Sequence, residues 1–350
     1  MEPQAGTVDK ERLETMPVGK SRAALVIATI LLTIAAAAVL GEGLARLARV
    51  PVFRVRRAAY IGWAQPDDVL GWRNHPGVFA ADERPHEPMT FLPDGSRATG
   101  RPTPAEGPTV LIVGCSYAEG YGVGDDQTFA SLLQERFPRL RIQDFGTPGY
   151  STYQSLMLLR EVVEQHRIRP AAVIYGFLPM HAERNVLTYS MLDAFRGFGG
   201  QRFAPPHVEW AGGGLDTFPP FSVRNWPLEE QSALVTLLHQ AELRVRLANR
   251  ERDEEKVTAR LLQDMKELVA RQNARLLVAT LWDGGPPGPE AYRRMSASMG
   301  EAGIEEMDVT YRGPETRPEL LQVGGNGHPS ALIHAWWADK LSAWIAQQKF

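Results

Sequence analysis

From Thr109 onward the chain alternates short apolar runs with helix-length amphipathic stretches, and this alternation leaves few folds open to it. The strand-like runs are Thr109 to Val113, Leu140 to Phe145, Ala171 to Phe177, Arg275 to Leu281 and Ile304 to Val309. The helix-like stretches are about Gln127 to Phe137, Thr152 to His166, Leu228 to Gln272 with a break near Asn249 to Asp253, Pro289 to Ala302, and Ser330 to Gln348. Strands joined through helices lie parallel and need apolar cover on both faces. The pattern therefore predicts an α/β fold, a three-layer α/β/α sandwich on a five-stranded parallel sheet.

The chain is 350 residues long, with 44% hydrophobic and 23% charged residues, enough for one large cored domain with appendages. Residues 1–20 are polar and read as a disordered N-terminus. Ala23 to Leu40 carries no charge, and its 18 residues are flanked by Lys20 and Arg22 before it and by Glu42 and Arg46 after it. At the helical rise that run is about 27 Å, close to the thickness of a bilayer core. Residues 21–41 are expected to be a single-pass transmembrane anchor rather than a cleaved signal peptide, because the run is long for the latter. Basic residues flank it on both sides, so charge does not orient it. Residues 42–107 read as a linker and lead-in packed on the domain, and 108–350 as the domain itself. Within that domain, 180–227 is a Gly- and Pro-rich insertion with many aromatics, read as a lid or substrate platform.

The net charge of −3 provides no overall basic field, so no nucleic-acid partner is expected. The single cysteine, Cys115, excludes an internal disulfide, and no Cys/His spacing suggests a metal site.

The chemistry concentrates in Val110 to Val123, VLIVGCSYAEGYGV. A buried strand runs into Gly114, Cys115 and Ser116 and then into glycines at 120, 122 and 124. That layout exposes a serine hydroxyl on a strand-to-helix turn at the carboxyl edge of a parallel sheet, where ligands of such folds bind. Ser116 is the candidate nucleophile. Cys115 is the alternative, but neighbours at a strand end point opposite ways, and only one of the two can face the cleft. The best base among eight histidines is His328, in a glycine turn just ahead of the last helix-like stretch. Ser330 is expected to cap that helix. His334 reads as packed or half exposed, and His75, His86, His166 and His207 as surface residues. The turn in Asp144 to Gln154, DFGTPGYSTYQ, provides backbone amides suited to an oxyanion.

In order, GCSYAEGYGV, DFGTPGYSTYQ and NGHPSALIHAWWADKL resemble three sequence blocks of the SGNH (GDSL-like) hydrolases, and DVLGWRNHPG and FLPDGSR resemble the lead-in of membrane-anchored members. The resemblance implies a flavodoxin-like sheet, with Ser116 as nucleophile, His328 as base, and the amides of Ser116 and Gly149 in the oxyanion hole. Chemistry of that kind requires neither a metal nor an organic cofactor. Three positions depart from the family pattern. Leu178 and Pro179 stand where an oxyanion asparagine is usual, and His181, Arg184 or Asn185 are the candidate replacements. Asn326 and Gly325 stand where an aspartate usually orients the base, with Asn326 and Asp283 as candidates for that role. Cys115 replaces the usual aspartate before the serine.

The resemblance points to a membrane-anchored serine esterase or O-acyltransferase acting on O-acyl esters of envelope glycans or lipids, its domain outside the cytoplasmic membrane. A catalytically degenerate glycan-binding or assembly component is the alternative, because the two missing side chains weaken the machinery. A nucleotide-binding protein fits poorly: neither GxGxxG nor a lysine-bearing phosphate loop is present. Protein partners are not legible in the sequence.

Overall fold

The computed structural model describes residues 18–55, 62–81, 84–197, 204–282, 289–323 and 327–350. In chain order the elements are α1 (Val18–Leu47), β1 (Ala64–Asp67), β2 (Gly71–Asn74), β3 (Gly77–Ala81), β4 (Arg84–Phe91), β5 (Thr109–Gly114), α2 (Ser116–Glu119), α3 (Phe129–Arg136), β6 (Arg141–Asp144), α4 (Thr152–Glu164), β7 (Pro170–Phe177), α5 (His181–Val186) and α6 (Tyr189–Gly197). They continue with β8 (His207–Ala211), β9 (Gly214–Phe218), α7 (Ala233–Leu247), α8 (Glu254–Arg271), β10 (Arg275–Thr280), α9 (Pro289–Glu301), β11 (Glu306–Asp308), α10 (Pro318–Leu321) and α11 (Ala331–Gln347). A single 3-10 turn, Arg250–Asp253, breaks the path between α7 and α8.

The chain divides into two compact units, one made of residues up to Phe53 together with Asn225–Glu242, the other of Arg54–Arg224 and Leu243–Phe350. In the larger unit a five-stranded parallel sheet runs in the order β11-β10-β7-β5-β6. Numbered along the chain that is 2-1-3-4-5 read from the β6 edge, the doubly wound order whose strand ends part at the switch between the first and third strands. Those strands are β5 and β7.

Alternation along β5 explains the layers. Leu111 and Val113 join a core with Leu159 and Val162 of α4, Leu261 and Met265 of α8, and Met295 and Met299 of α9. Val110 and Ile112 join a separate core with Phe129 and Leu133 of α3 and Ile333 and Trp337 of α11. A strand buried on both faces reads as one unbroken apolar run, which is the pattern in Val110 to Val113.

The lead-in forms two antiparallel hairpins, β1 with β2 and β3 with β4. Arg97 bridges to Asp144 at the end of β6, and Trp63, Met89, Phe91 and Tyr121 make a third, smaller core. The insertion differs from the sequence expectation of irregular loop. Its first part is α5 and α6, whose Val186, Leu192 and Phe195 are buried in the core, and its second part is the hairpin of β8 and β9. Short helices beside many Gly and Pro residues give no usable period, so the sequence concealed them. His207 also departs from expectation. It opens β8 buried, stacked on Phe218 at 4.8 Å and 3.0 Å from an Arg250 nitrogen, and burial pushes its pKa down to about 3.

In the smaller unit, α1 continues past the expected anchor to Leu47. Arg22–Leu47 is the one stretch among the described residues long and apolar enough to cross a membrane, and none of its most apolar part is buried by protein. Just beyond that apolar run, the Glu42 carboxylate accepts hydrogen bonds from Ser232 Oγ (2.6 Å) and from the amides of Ala233 (3.2 Å) and Leu234 (2.9 Å). It thus satisfies the free N–H groups that open α7 and complements the positive end of that helix.

Candidate active site

Strand β5 ends at Gly114, Cys115 adopts extended backbone, and Ser116 begins the single-turn helix α2. Gly120 closes that turn with φ +79°, a left-handed conformation that glycine adopts without strain, and its amide donates to Ser116 O. Cys115 is fully buried in the core shared with Phe129 and Trp337, so the strand-end alternation leaves Ser116 to face the cleft. Ser116 is 7% exposed, and its Oγ lies 3.0 Å from His328 Nε2.

The His328 turn is held from both sides. Val323 N donates to His328 O at 2.7 Å, and Ser330 N donates to Leu321 O at 2.9 Å. Ser330 stands at the N-cap of α11 but its hydroxyl donates to Leu320 O, so it ties the turn to α10 instead of capping the helix as expected. The imidazole packs against two side chains of the nucleophile segment, Tyr121 at 4.6 Å and Tyr117 at 5.6 Å between ring centroids. The two orienting candidates, Asn326 and Asp283, lie outside the described residues.

The second loop is fixed against the first. Thr147 N donates to Gly114 O at 3.1 Å. At Gly146 a Cβ would stand 2.3 Å from Glu119 N, so any other residue there would push α2 away. Gly149 follows with φ +76°, flanked by Phe195 and Trp72, whose rings would meet a Cβ at 3.1 and 3.2 Å. Lead-in side chains clamp this loop: Asn74 Nδ2 donates to Gly146 O and Trp72 Nε1 to Pro148 O.

The structure brings Ser116 and His328 together and ties the Gly149 loop to the end of β5. It sends the expected oxyanion substitutes elsewhere. Asn185 is fully buried, its amide nitrogen donating to Thr152 and Thr258 hydroxyls and its oxygen accepting from Tyr153 N. His181 is also fully buried, with Nδ1 2.7 Å from the Tyr175 hydroxyl, and burial beside Arg184 holds its pKa well below the usual imidazole value. Both stabilise the junction of α4, α5 and β7. Arg184 donates to Tyr150 O at 3.1 Å, just ahead of the start of α4. His334 is packed, as one of the two sequence readings had it. Its Nδ1 accepts from Phe129 N at the start of α3, and burial drives its pKa down to about 3.

Sequence reasoning missed the support behind the nucleophile. Arg97, itself buried, donates to Glu119 O at 2.8 Å, Gly120 O at 2.5 Å and Val123 O at 2.5 Å, and lies 3.4 Å from Asp125. Its backbone N–H donates to Asp144 O. Glu119 and Asp144 lie fully buried in the same region. Burial, reinforced by the Asp144 carboxyl, pushes the Glu119 pKa well above its ordinary value despite Arg97 and the Trp63 indole. Burial likewise raises Asp144 to about 7. In the sequence Glu119 is one of three acidic residues near the glycine turn, with Asp125 and Asp126, and no local pattern marks it as buried.

A carboxyl whose pKa is higher folded than unfolded takes up protons on folding, so its stabilising effect is complete below the unfolded value and is lost as pH rises. Glu119→Gln keeps the shape of the protonated form without that dependence. Its melting temperature relative to the parent is expected to climb steadily from pH 4.5, the ordinary value for Glu, toward pH 8. Thermal unfolding across that range checks this, and a difference that stays flat or narrows would mean that Glu119 is ionised in the fold.

No family model and no curated protein sequence matches this chain. Solved structures that it resembles include TesA (15% identity, 69% of this chain and 98% of that one, TM-score 0.40). They also include the psychrotrophic esterase EstA of a Pseudoalteromonas species, inhibited by monoethylphosphonate (14% identity, 68% and 99%, TM-score 0.39). A third is a GDSL-like lipase of Bacteroides thetaiotaomicron (13% identity, 68% and 88%, TM-score 0.38).

Proposed function

We propose that this chain is an SGNH-type serine hydrolase of carboxylic esters, anchored in the cytoplasmic membrane by α1 with its catalytic domain outside. The observation that carries the reading is the 3.0 Å contact between Ser116 Oγ and His328 Nε2 at the switch point of the sheet. Nucleophile and base within hydrogen-bond reach, on a strand-to-helix turn, is the arrangement that acyl transfer needs.

In the proposed reaction, Ser116 Oγ attacks the ester carbonyl carbon as its proton passes to His328 Nε2. The amides of Ser116 and Gly149 receive the negative charge on the former carbonyl oxygen. Collapse breaks the bond to the alcohol, which leaves with the proton from His328, and the acyl group stays on Ser116. Water, or the hydroxyl of an acceptor, then attacks the acyl carbon as its proton passes to His328, and collapse breaks the bond to Ser116 Oγ, which takes that proton back. Water makes the chain an esterase, and an acceptor hydroxyl makes it an O-acyltransferase. O-acylated glycans or lipids of the envelope are the proposed substrates, because they lie within reach of a domain anchored at the membrane surface. Arg184, by holding Tyr150 O, positions the Gly149 loop, which works without the asparagine whose place Leu178 and Pro179 take.

Labelling of the full-length protein with a fluorophosphonate tests this reading. The parent is expected to label, and Ser116→Ala and His328→Ala are not. A folded parent that stays unlabelled would overturn the enzyme in favour of a binding component that has kept the fold.

A further inference from the structure

We infer that the segment Trp226–Leu238 is a second membrane contact, a wedge that lies in the phospholipid interface beside α1; this rests on the reading of α1 as a membrane anchor. Three observations within the smaller unit carry it. The first is depth. Glu42, two residues past the last residue of the uncharged run, binds the amides that open α7, so the start of α7 stands at the level where the spanning helix leaves the hydrocarbon.

The second is continuity. Leu234 packs on α1 so closely that a Cβ at Gly41 would stand 3.0 Å from its methyl group. Leu237 and Leu238, three and four residues on, share that face of α7 and are 40% and 51% exposed. The apolar stripe of α7 thus runs on from the exposed apolar surface of α1.

The third is a built presentation of apolar side chains. Leu228 is 66% exposed and has φ +66°, a left-handed conformation that a leucine adopts only at a cost, and such strain tends to persist where a side chain has work to do. Trp226, 41% exposed, is stacked on His239 at 4.8 Å, and His239 is paired with the fully buried Glu229 at 2.9 Å. Glu229 also accepts from Trp226 N. A buried contact between an imidazole and a carboxyl group thus holds an exposed indole in place. Tryptophan is the side chain favoured at the bilayer interface, because its ring is apolar and its N–H can stay wet.

The proposed occupant is therefore the phospholipid of the membrane that α1 crosses. An interfacial wedge would restrict how far the smaller unit tilts from the bilayer plane, which a bare helix would not do.

The test places nitroxide labels on the full-length protein in phosphatidylcholine and phosphatidylglycerol vesicles, using Leu228→Cys, Leu238→Cys, Leu31→Cys in the anchor and Val78→Cys on β3. Buried Cys115 provides the unlabelled background in the parent chain. Collision with oxygen relative to a water-soluble nickel chelate is expected to be several-fold higher at 228 and 238 than at 78, approaching that at 31. If 31 reads as lipid-buried while 228 and 238 match 78, the wedge is overturned and the anchor stands. If 31 itself reads as aqueous, the anchor fails and the wedge with it.

Discussion

Hydrolysis of a short p-nitrophenyl ester is expected to fall by about 10⁴-fold or more in Ser116→Ala, by a similar factor in His328→Ala, and no further in the double variant. The serine and the imidazole act as one unit through the 3.0 Å contact. Once either is gone, the other has nothing left to activate or to be activated by. What remains in each variant is the residual rate due to the oxyanion amides and substrate binding, and it should be the same in all three. Single-turnover rates with matched circular dichroism spectra check this. Losses that multiply in the double variant would show the two side chains acting independently, and the proposed mechanism would fall.

Replacing Arg97 by Met is expected to cost about 3–5 kcal/mol of stability, the range for leaving a buried charge or set of polar groups without its partner. Methionine keeps much of the side-chain volume, so the loss reports polar groups rather than a cavity. Three carbonyls between Glu119 and Val123 would lose a charged donor, and the Asp125 carboxylate would lose the guanidinium beside it. Because these carbonyls belong to the turn that follows Ser116, fluorophosphonate labelling should weaken at temperatures well below unfolding. Urea unfolding, with labelling measured in parallel, distinguishes the outcomes. A loss under about 1 kcal/mol, ordinary for a single neutral hydrogen bond, would mean that the turn keeps its shape without Arg97.

The three central strands β5, β7 and β10 were legible because they are buried on both faces and so appear as apolar runs, whereas the edge strands β6 and β11 are only partly buried; the boundaries of β5 and α4 fall within one or two residues of the pattern. The insertion was not. The cover that Val186, Leu192 and Phe195 give the core depends on which helices pack over them, and their six- and nine-residue helices are too short to show a period. Asn185 and His181 illustrate the same limit at the site. Sequence proximity to the end of β7 suggested oxyanion donors, but a helical turn points both into a buried hydrogen-bond network with Thr152 and Tyr175. Polar residue type records the capacity to donate a hydrogen bond, whereas direction comes from the backbone that carries it.

By itself, the sequence determined the sheet and the serine at its edge, since burial on two faces and the glycine turn are local constraints written in consecutive residues. Only the tertiary structure decided the partnerships: the 212-residue span from Ser116 to His328, the clamp of Arg97 on the nucleophile turn, and the capping of α7 by Glu42. Those contacts join residues far apart in the chain, and their existence depends on crossovers that bring strand ends, hairpins and helix termini to common places. No window of sequence contains both partners.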